Sequence, residues 1–160
     1  MINRRTAIRQ LFVYAGGLMI ATSCSTSGGS ASIVLNNMVF SAKEEALIAA
    51  LVETIIPASD SPGGVELKLH LFVMKMLDDC HSEADQRAFK LGLEQVQAIP
   101  FEDQAKLLKY LEGLPQEDLF LQVLKRRTIQ GYLNSAYVMQ NKLIYELVPG
   151  RYDGAVKVKV

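Results

Sequence analysis

Apolar positions recur at helical spacing along most of this chain, broken by short stretches of Ser, Pro, Gly and Asp. Ser41-Ala42-Lys43-Glu44 has the form of a capping box, in which the serine oxygen and the Glu44 carboxylate satisfy free amides of a first helical turn. Leu47, Ala50, Leu51, Thr54 and Ile55 then line one face, and Pro57 stops the helix. Residues 58–64 (ASDSPGG) form a loop whose turn Asp60 is expected to cap, a role that outweighs cation binding by Ser59-Asp60-Ser61. A second helix is predicted over 65–80, with Leu69, Phe72, Val73, Met76 and Leu77 on one face. Leu67, Leu71 and Met74 widen that face, so this helix should be buried on more than one side. Asp78-Asp79 at its end would oppose the macrodipole and are expected beyond the last turn.

Ser82 with Asp85 opens a third helix to about Gln97, with Phe89, Leu93 and Val96 inward, and Ile99-Pro100-Phe101 breaks it. A short helix over 102–112 uses Leu107, Leu108 and Leu111 and closes at Gly113. A longer one runs from about Gln116 into the 130s and buries Leu119, Phe120, Val123, Leu124 and Ile129. Gly131 costs about 1 kcal/mol relative to Ala inside a helix, so a bend or a close approach is expected there. From Leu143 the pattern changes: 144–148 reads as extended, Pro149-Gly150 as a turn, and Val156, Val158 and Val160 alternate. The fold class is all-α, a compact bundle of about five helices with an irregular C-terminal tail.

The first residues follow a different pattern. Asn3-Arg4-Arg5-Thr6 is a twin-arginine motif, followed by an apolar run over 11–21 and by Thr22-Ser23-Cys24. A basic start, a short apolar run and a small-residue exit constitute an export signal. That run is about half of the ~20 residues a membrane-spanning helix needs. Ala7 stands where the twin-arginine consensus prefers Phe. Ile20-Ala21-Thr22-Ser23-Cys24 reads as a lipobox, which makes Cys24 the lipidated N-terminus; an ordinary signal-peptidase site is the competing reading. Residues 25–32 (STSGGSAS) supply a flexible tether. The organisation is therefore a twin-arginine-type signal over 1–23, the lipidated Cys and tether over 24–40, and one helical domain over 41–160. The twin-arginine route moves folded proteins, and a small domain without a cofactor gains little from it unless a folded companion travels with it.

Charge changes the picture once the signal is set aside. From Cys24 onward there are 14 Lys and Arg against 17 Asp and Glu, a balance of −3, which argues against a nucleic-acid partner. With Cys24 committed, Cys80 is unpaired and no disulfide framework exists. No Gly-x-Gly-x-x-Gly joins a strand to a helix, no Cys-x-x-Cys-His offers haem attachment, and no Gly-x-Ser-x-Gly elbow occurs. His70 and His81 stand about three turns apart on a helix, too far to share an ion, so Cys80 is expected in the core and the histidines at the surface. The basic run Lys125-Arg126-Arg127 is either solvated helix surface or a patch facing an acidic partner or lipid headgroups. The segment around Tyr132, Arg151 and Tyr152 holds residue types common at interfaces, and folding back on its own domain is the even alternative.

Three motifs together resemble a known family. Thr54-Ile55-Ile56-Pro57-Ala58-Ser59-Asp60-Ser61-Pro62-Gly63, Thr128-Ile129-Gln130-Gly131-Tyr132 and Pro149-Gly150-Arg151-Tyr152-Asp153-Gly154 are similar to motifs of the small subunit (subunit 3, or gamma) of gluconate 2-dehydrogenase-type enzymes. The resemblance implies a non-catalytic subunit with no cofactor of its own. It implies as partner a large FAD-dependent dehydrogenase subunit of the glucose-methanol-choline type, with a cytochrome c subunit as a further partner. It also implies escort of the folded flavoprotein through the twin-arginine export machinery. Ala155 stands where some relatives are expected to have Cys, so a covalent tie at that position is absent. The expected location is the periplasmic side of the cell envelope, with a lipid anchor in the membrane at Cys24. Candidate partner contacts are Thr128, Gly131, Tyr132, Pro149, Gly150, Arg151 and Tyr152, with 57–64 as a second surface, and Arg4 and Arg5 carry the export signal. The competing reading is a stand-alone α-helical envelope lipoprotein that binds another component.

Overall fold

The computed structural model describes residues 29–100, 103–143, 148 and 150. The chain divides into two units, 1–30 and 31–160, and the architecture below is that of the second. Arg4, Arg5 and Cys24 lie outside the described residues, as do Pro149, Arg151, Tyr152 and the alternating valines of the tail.

Among the described residues there are six α-helices: α1 (Ala42–Ile55), α2 (Leu69–Cys80), α3 (Glu83–Val96), α4 (Gln104–Gly113), α5 (Leu119–Leu133) and α6 (Ala136–Asn141). The all-α bundle is thus as expected, with the short α6 added after Ser135, whose hydroxyl accepts from the Val138 amide. Local chemistry sets most of the starts. Ser41 and Glu44 form the complete capping box, and Ser82, Asp103 and Asp118 each accept an amide from the first turn of α3, α4 and α5. No helix among the described residues is long and apolar enough to cross a membrane.

Helix α2 begins four residues later than the pattern suggests. Lys68 sits at φ 54°, a left-handed conformation that ends the preceding turn over 65–68 and leaves α2 without a side-chain cap. Leu69, Val73, Met74 and Leu77 are buried, which accounts for the wide apolar face. Helix α5 packs against α1, α2, α3 and α6, and its buried residues are Phe120, Leu121, Val123, Leu124, Thr128 and Gly131. Leu47, Ile48, Leu51 and Val52 of α1 and Phe89, Leu93 and Val96 of α3 complete the core. Two apolar residues expected inward face out: Leu108 is 45% and Ile129 is 40% exposed.

Two glycines set how closely the helices approach. A Cβ on Gly131 would lie 2.8 Å from Cδ1 of Phe72, so the close approach expected there is a contact between α5 and α2. A Cβ on Gly92 would lie 2.5 Å from Cβ and Cγ of Phe120, so α3 crosses α5 at a point where only hydrogen fits.

Candidate functional site

Residues 31–40, assigned from the sequence to the tether region, are laid along the domain. The amide of Ala31 donates to the carbonyl of Phe40 at 3.1 Å and closes the stretch into a loop. Met38 and Phe40 are buried, while Ser32 donates through both its amide and its hydroxyl to the Glu45 carboxylate of α1.

The main anchor is Asp78, and its place corrects the expectation that Asp78-Asp79 lie past the helix end. Both residues are within α2, and Asp78 is only 2% exposed. Its Oδ2 accepts from the Asn36 amide at 2.7 Å, and its Oδ1 accepts from the Asn37 and Met38 amides at 2.7 and 2.8 Å. Burial pushes the Asp78 carboxyl up, but the three amides together with Lys75 outweigh it and hold the group below its ordinary value. The helix end is completed from α3, where the Gln86 side-chain amide donates to the carbonyls of Leu77 and Asp78 at 3.1 and 3.0 Å.

A groove of about 760 Å³ lies between Asn37–Val39, the end of α2 and the first half of α3. Its ionisable walls are already engaged within the chain. Lys90 contacts the Glu44 carboxylate, donates to the Val39 carbonyl at 3.2 Å and sits 4.6 Å over the Phe40 ring. Arg87 pairs with Glu83 at 3.2 Å, and Lys75 with Asp79 at 3.1 Å. His81 accepts at Nε2 from Arg127 of α5 at 3.1 Å, and its Nδ1 lies 3.6 Å from Asp85. Each of these side chains is turned to a neighbour in the chain.

The surface expectation for the histidines is thereby corrected, as both are largely covered. His70 lies 3.8 Å from Glu45, with its Nδ1 buried and without a partner among the described residues; burial, offset in part by Glu45, lowers its pKa. Cys80, expected in the core, is exposed. Among the described residues no group of three His, Cys, Asp or Glu side chains could hold a metal ion.

The loop over 57–64 is organised by Glu53 rather than by Asp60. The Glu53 carboxylate accepts from the Ala58 amide at 3.1 Å and from the Val65 amide at 2.8 Å, so one side chain joins both ends of the loop. Gly64 closes it further by donating to the Ile56 carbonyl at 2.8 Å. Residues 57–60 remain exposed on this fixed base.

The candidate contacts from the C-terminal half separate. Thr128 and Gly131 are buried in the helix packing, on the face of α5 that turns inward. Tyr132 is half-buried against the core, and Gly150 is exposed. Among the described residues the Thr128 hydroxyl is enclosed without a hydrogen-bond partner. Thr128→Val keeps the shape and removes an unsatisfied polar atom, so it should leave stability unchanged or raise it by up to about 1 kcal/mol in urea unfolding. A loss of similar size would show that the hydroxyl has a partner in solution.

Residues 42–106, spanning α1, the 57–64 loop, α2, α3 and the start of α4, match the family gluconate 2-dehydrogenase subunit 3. The family is an accessory subunit of a dehydrogenase complex, which implies a dehydrogenase partner. The motifs at 128–132 and 149–154 lie outside the matched segment. No curated protein and no solved structure matches the chain.

Proposed function

We propose that this chain is the non-catalytic small subunit of a membrane-associated, FAD-dependent sugar or polyol dehydrogenase of the gluconate type. In this reading it escorts the folded flavoprotein through twin-arginine export and holds it at the periplasmic face through a lipid on Cys24. The observation that carries it is the family match over 42–106 on a chain that opens with Arg4-Arg5 and reaches Cys24 after a short apolar run. A flavoprotein must fold around its cofactor before export, so a folded passenger explains why so small a domain has this signal. The 57–64 loop supports the reading: it falls within the matched segment and is held rigid with its outer residues exposed.

The test is purification of the tagged full-length chain from membranes of its native host. A flavin-containing oxidoreductase subunit without a leader of its own should copurify, and Arg4→Lys with Arg5→Lys should strand both proteins in the cytoplasm. A tagged chain that elutes alone defeats the partnership. Continued export of the flavoprotein beside the double lysine variant defeats the escort role.

A further inference from the structure

The run Lys125-Arg126-Arg127 is divided by the helix. Arg127 turns inward to His81 and donates to Gln130 at 2.7 Å, whereas Lys125 and Arg126 are exposed and form no ion pair among the described residues. These two cations border a pair of adjoining hollows, about 230 and 240 Å³, which share Gln116, Leu121 and Lys125. Leu111 and Leu121 form the floor, and the outward-turned Leu108 and Ile129 form the walls. Glu112 is the one carboxylate on the rim of the first hollow, and the second has none.

We infer that this α4–α5 groove receives an acidic, aliphatic-bearing segment of the dehydrogenase subunit, its Leu- or Ile-type side chains in the hollows and its carboxylates against Lys125 and Arg126. The inference rests on the partnership proposed above. Charge complementarity selects the occupant: in a mature chain of balance −3, two cations that form no ion pair among the described residues, beside apolar hollows, form a local inversion of sign. A lipid bilayer is the competing occupant, and the vesicle arm of the experiment below separates the two. The chain's own last ten residues fit poorly, because Arg151, Lys157 and Lys159 outnumber Asp153.

The experiment compares capture of the flavoprotein from host membranes by the wild-type chain, by Lys125→Glu with Arg126→Glu, and by Lys109→Glu, an exposed cation of α4. The double reversal should weaken capture roughly tenfold or more, with Lys109→Glu near wild type. Carbodiimide coupling of the wild-type complex should join Lys125 to an Asp or Glu of the flavoprotein. Equal capture by all three chains sinks this groove and leaves the partnership standing; no capture by the wild type sinks both. Coupling of Lys125 to Asp153 would assign the groove to the chain's own tail. Charge-dependent flotation of the wild type with phosphatidylglycerol vesicles, lost in the double variant, would assign it to the membrane. Either result overturns the inference.

Discussion

Asp78→Ala should cost this domain about 4 kcal/mol and lower its thermal midpoint by roughly 10–15 °C. The carboxylate is 2% exposed and accepts three backbone amides at 2.7–2.8 Å, all from a loop some forty residues earlier. Hydrogen bonds to a charged acceptor contribute about 1.5–3 kcal/mol each, but they share one group and do not add in full. Part of the loss returns as water reaches the amides of Asn36 and Asn37, which are only part-buried. Removing a carboxylate near a helix C-terminus also relieves up to about 1 kcal/mol of unfavourable dipole interaction. Asp78→Asn should fall between. An amide oxygen at Oδ1 still accepts from Asn37 and Met38, while its nitrogen now faces the Asn36 amide. Limited proteolysis supplies the local readout, with cleavage inside 31–40 in the alanine variant before the helices are cut. A loss below about 1 kcal/mol would mean that the loop is held mainly by its other contacts, the buried Met38 and Phe40 and the Ser32–Glu45 and Lys90–Val39 bonds.

The same carboxylate gives the pH dependence its sign. Burial raises the pKa of Asp78, Glu44 and Glu45, and hydrogen bonds to each more than offset it, so all three end below their ordinary values. Each contributes stability that is present above its unfolded-state pKa and is lost as pH falls through the depressed folded value. His70 acts in the same direction for another reason: burial favours its neutral ring, so the unfolded chain takes up its proton first as pH falls below the ordinary histidine value. Stability should therefore decline from near-neutral pH downward and more steeply below about pH 4. Asp78→Ala should flatten the steeper part, as urea midpoints across the acid range would show.

What could be read along the chain was what acts within one turn. Ser41 with Glu44 and Ser82 with Asp85 are caps whose partners lie three residues away, and both are present in the structure. Phe89, Leu93 and Val96 are all fully buried, because a face with one long apolar stripe can turn only one way. What escaped depends on distant partners. The buried end of α2 is stable because amides from residues 36–38 meet it, and no local signal pairs Asp78 with them. Leu108 and Ile129 have the same character as Leu107 and Leu124, yet they line an open groove, since burial depends on what the rest of the fold places opposite. Thr128 and Gly131 illustrate the converse. Residue types that suggest a surface need not lie on one, and here both are buried where α5 packs on its neighbours.

Gly92→Ala should destabilise the domain by about 2 kcal/mol, although alanine is the better helix former by about 1 kcal/mol. The new methyl would meet Cβ and Cγ of Phe120 at 2.5 Å, roughly 1 Å inside a comfortable carbon–carbon contact. These atoms are the root of the side chain, so no rotamer change removes the conflict, and the α3 and α5 backbones must separate. That motion also disturbs the Phe89–Phe120 pair, whose ring centroids are 5.0 Å apart. Gly131→Ala is the control. Its nearest neighbours are ring atoms of Phe72 at 2.8 and 3.3 Å and a terminal methyl of Leu69 at 3.3 Å, and the half-buried Phe72 ring can swing away. The helix-propensity gain then offsets the strain, and stability should stay within about 1 kcal/mol of wild type. Phe120→Leu added to Gly92→Ala keeps both conflicting carbons and should recover little. Chemical unfolding of the four chains decides the matter: full recovery in the double variant, or a larger loss at Gly131 than at Gly92, would show that helix spacing is not set at Gly92.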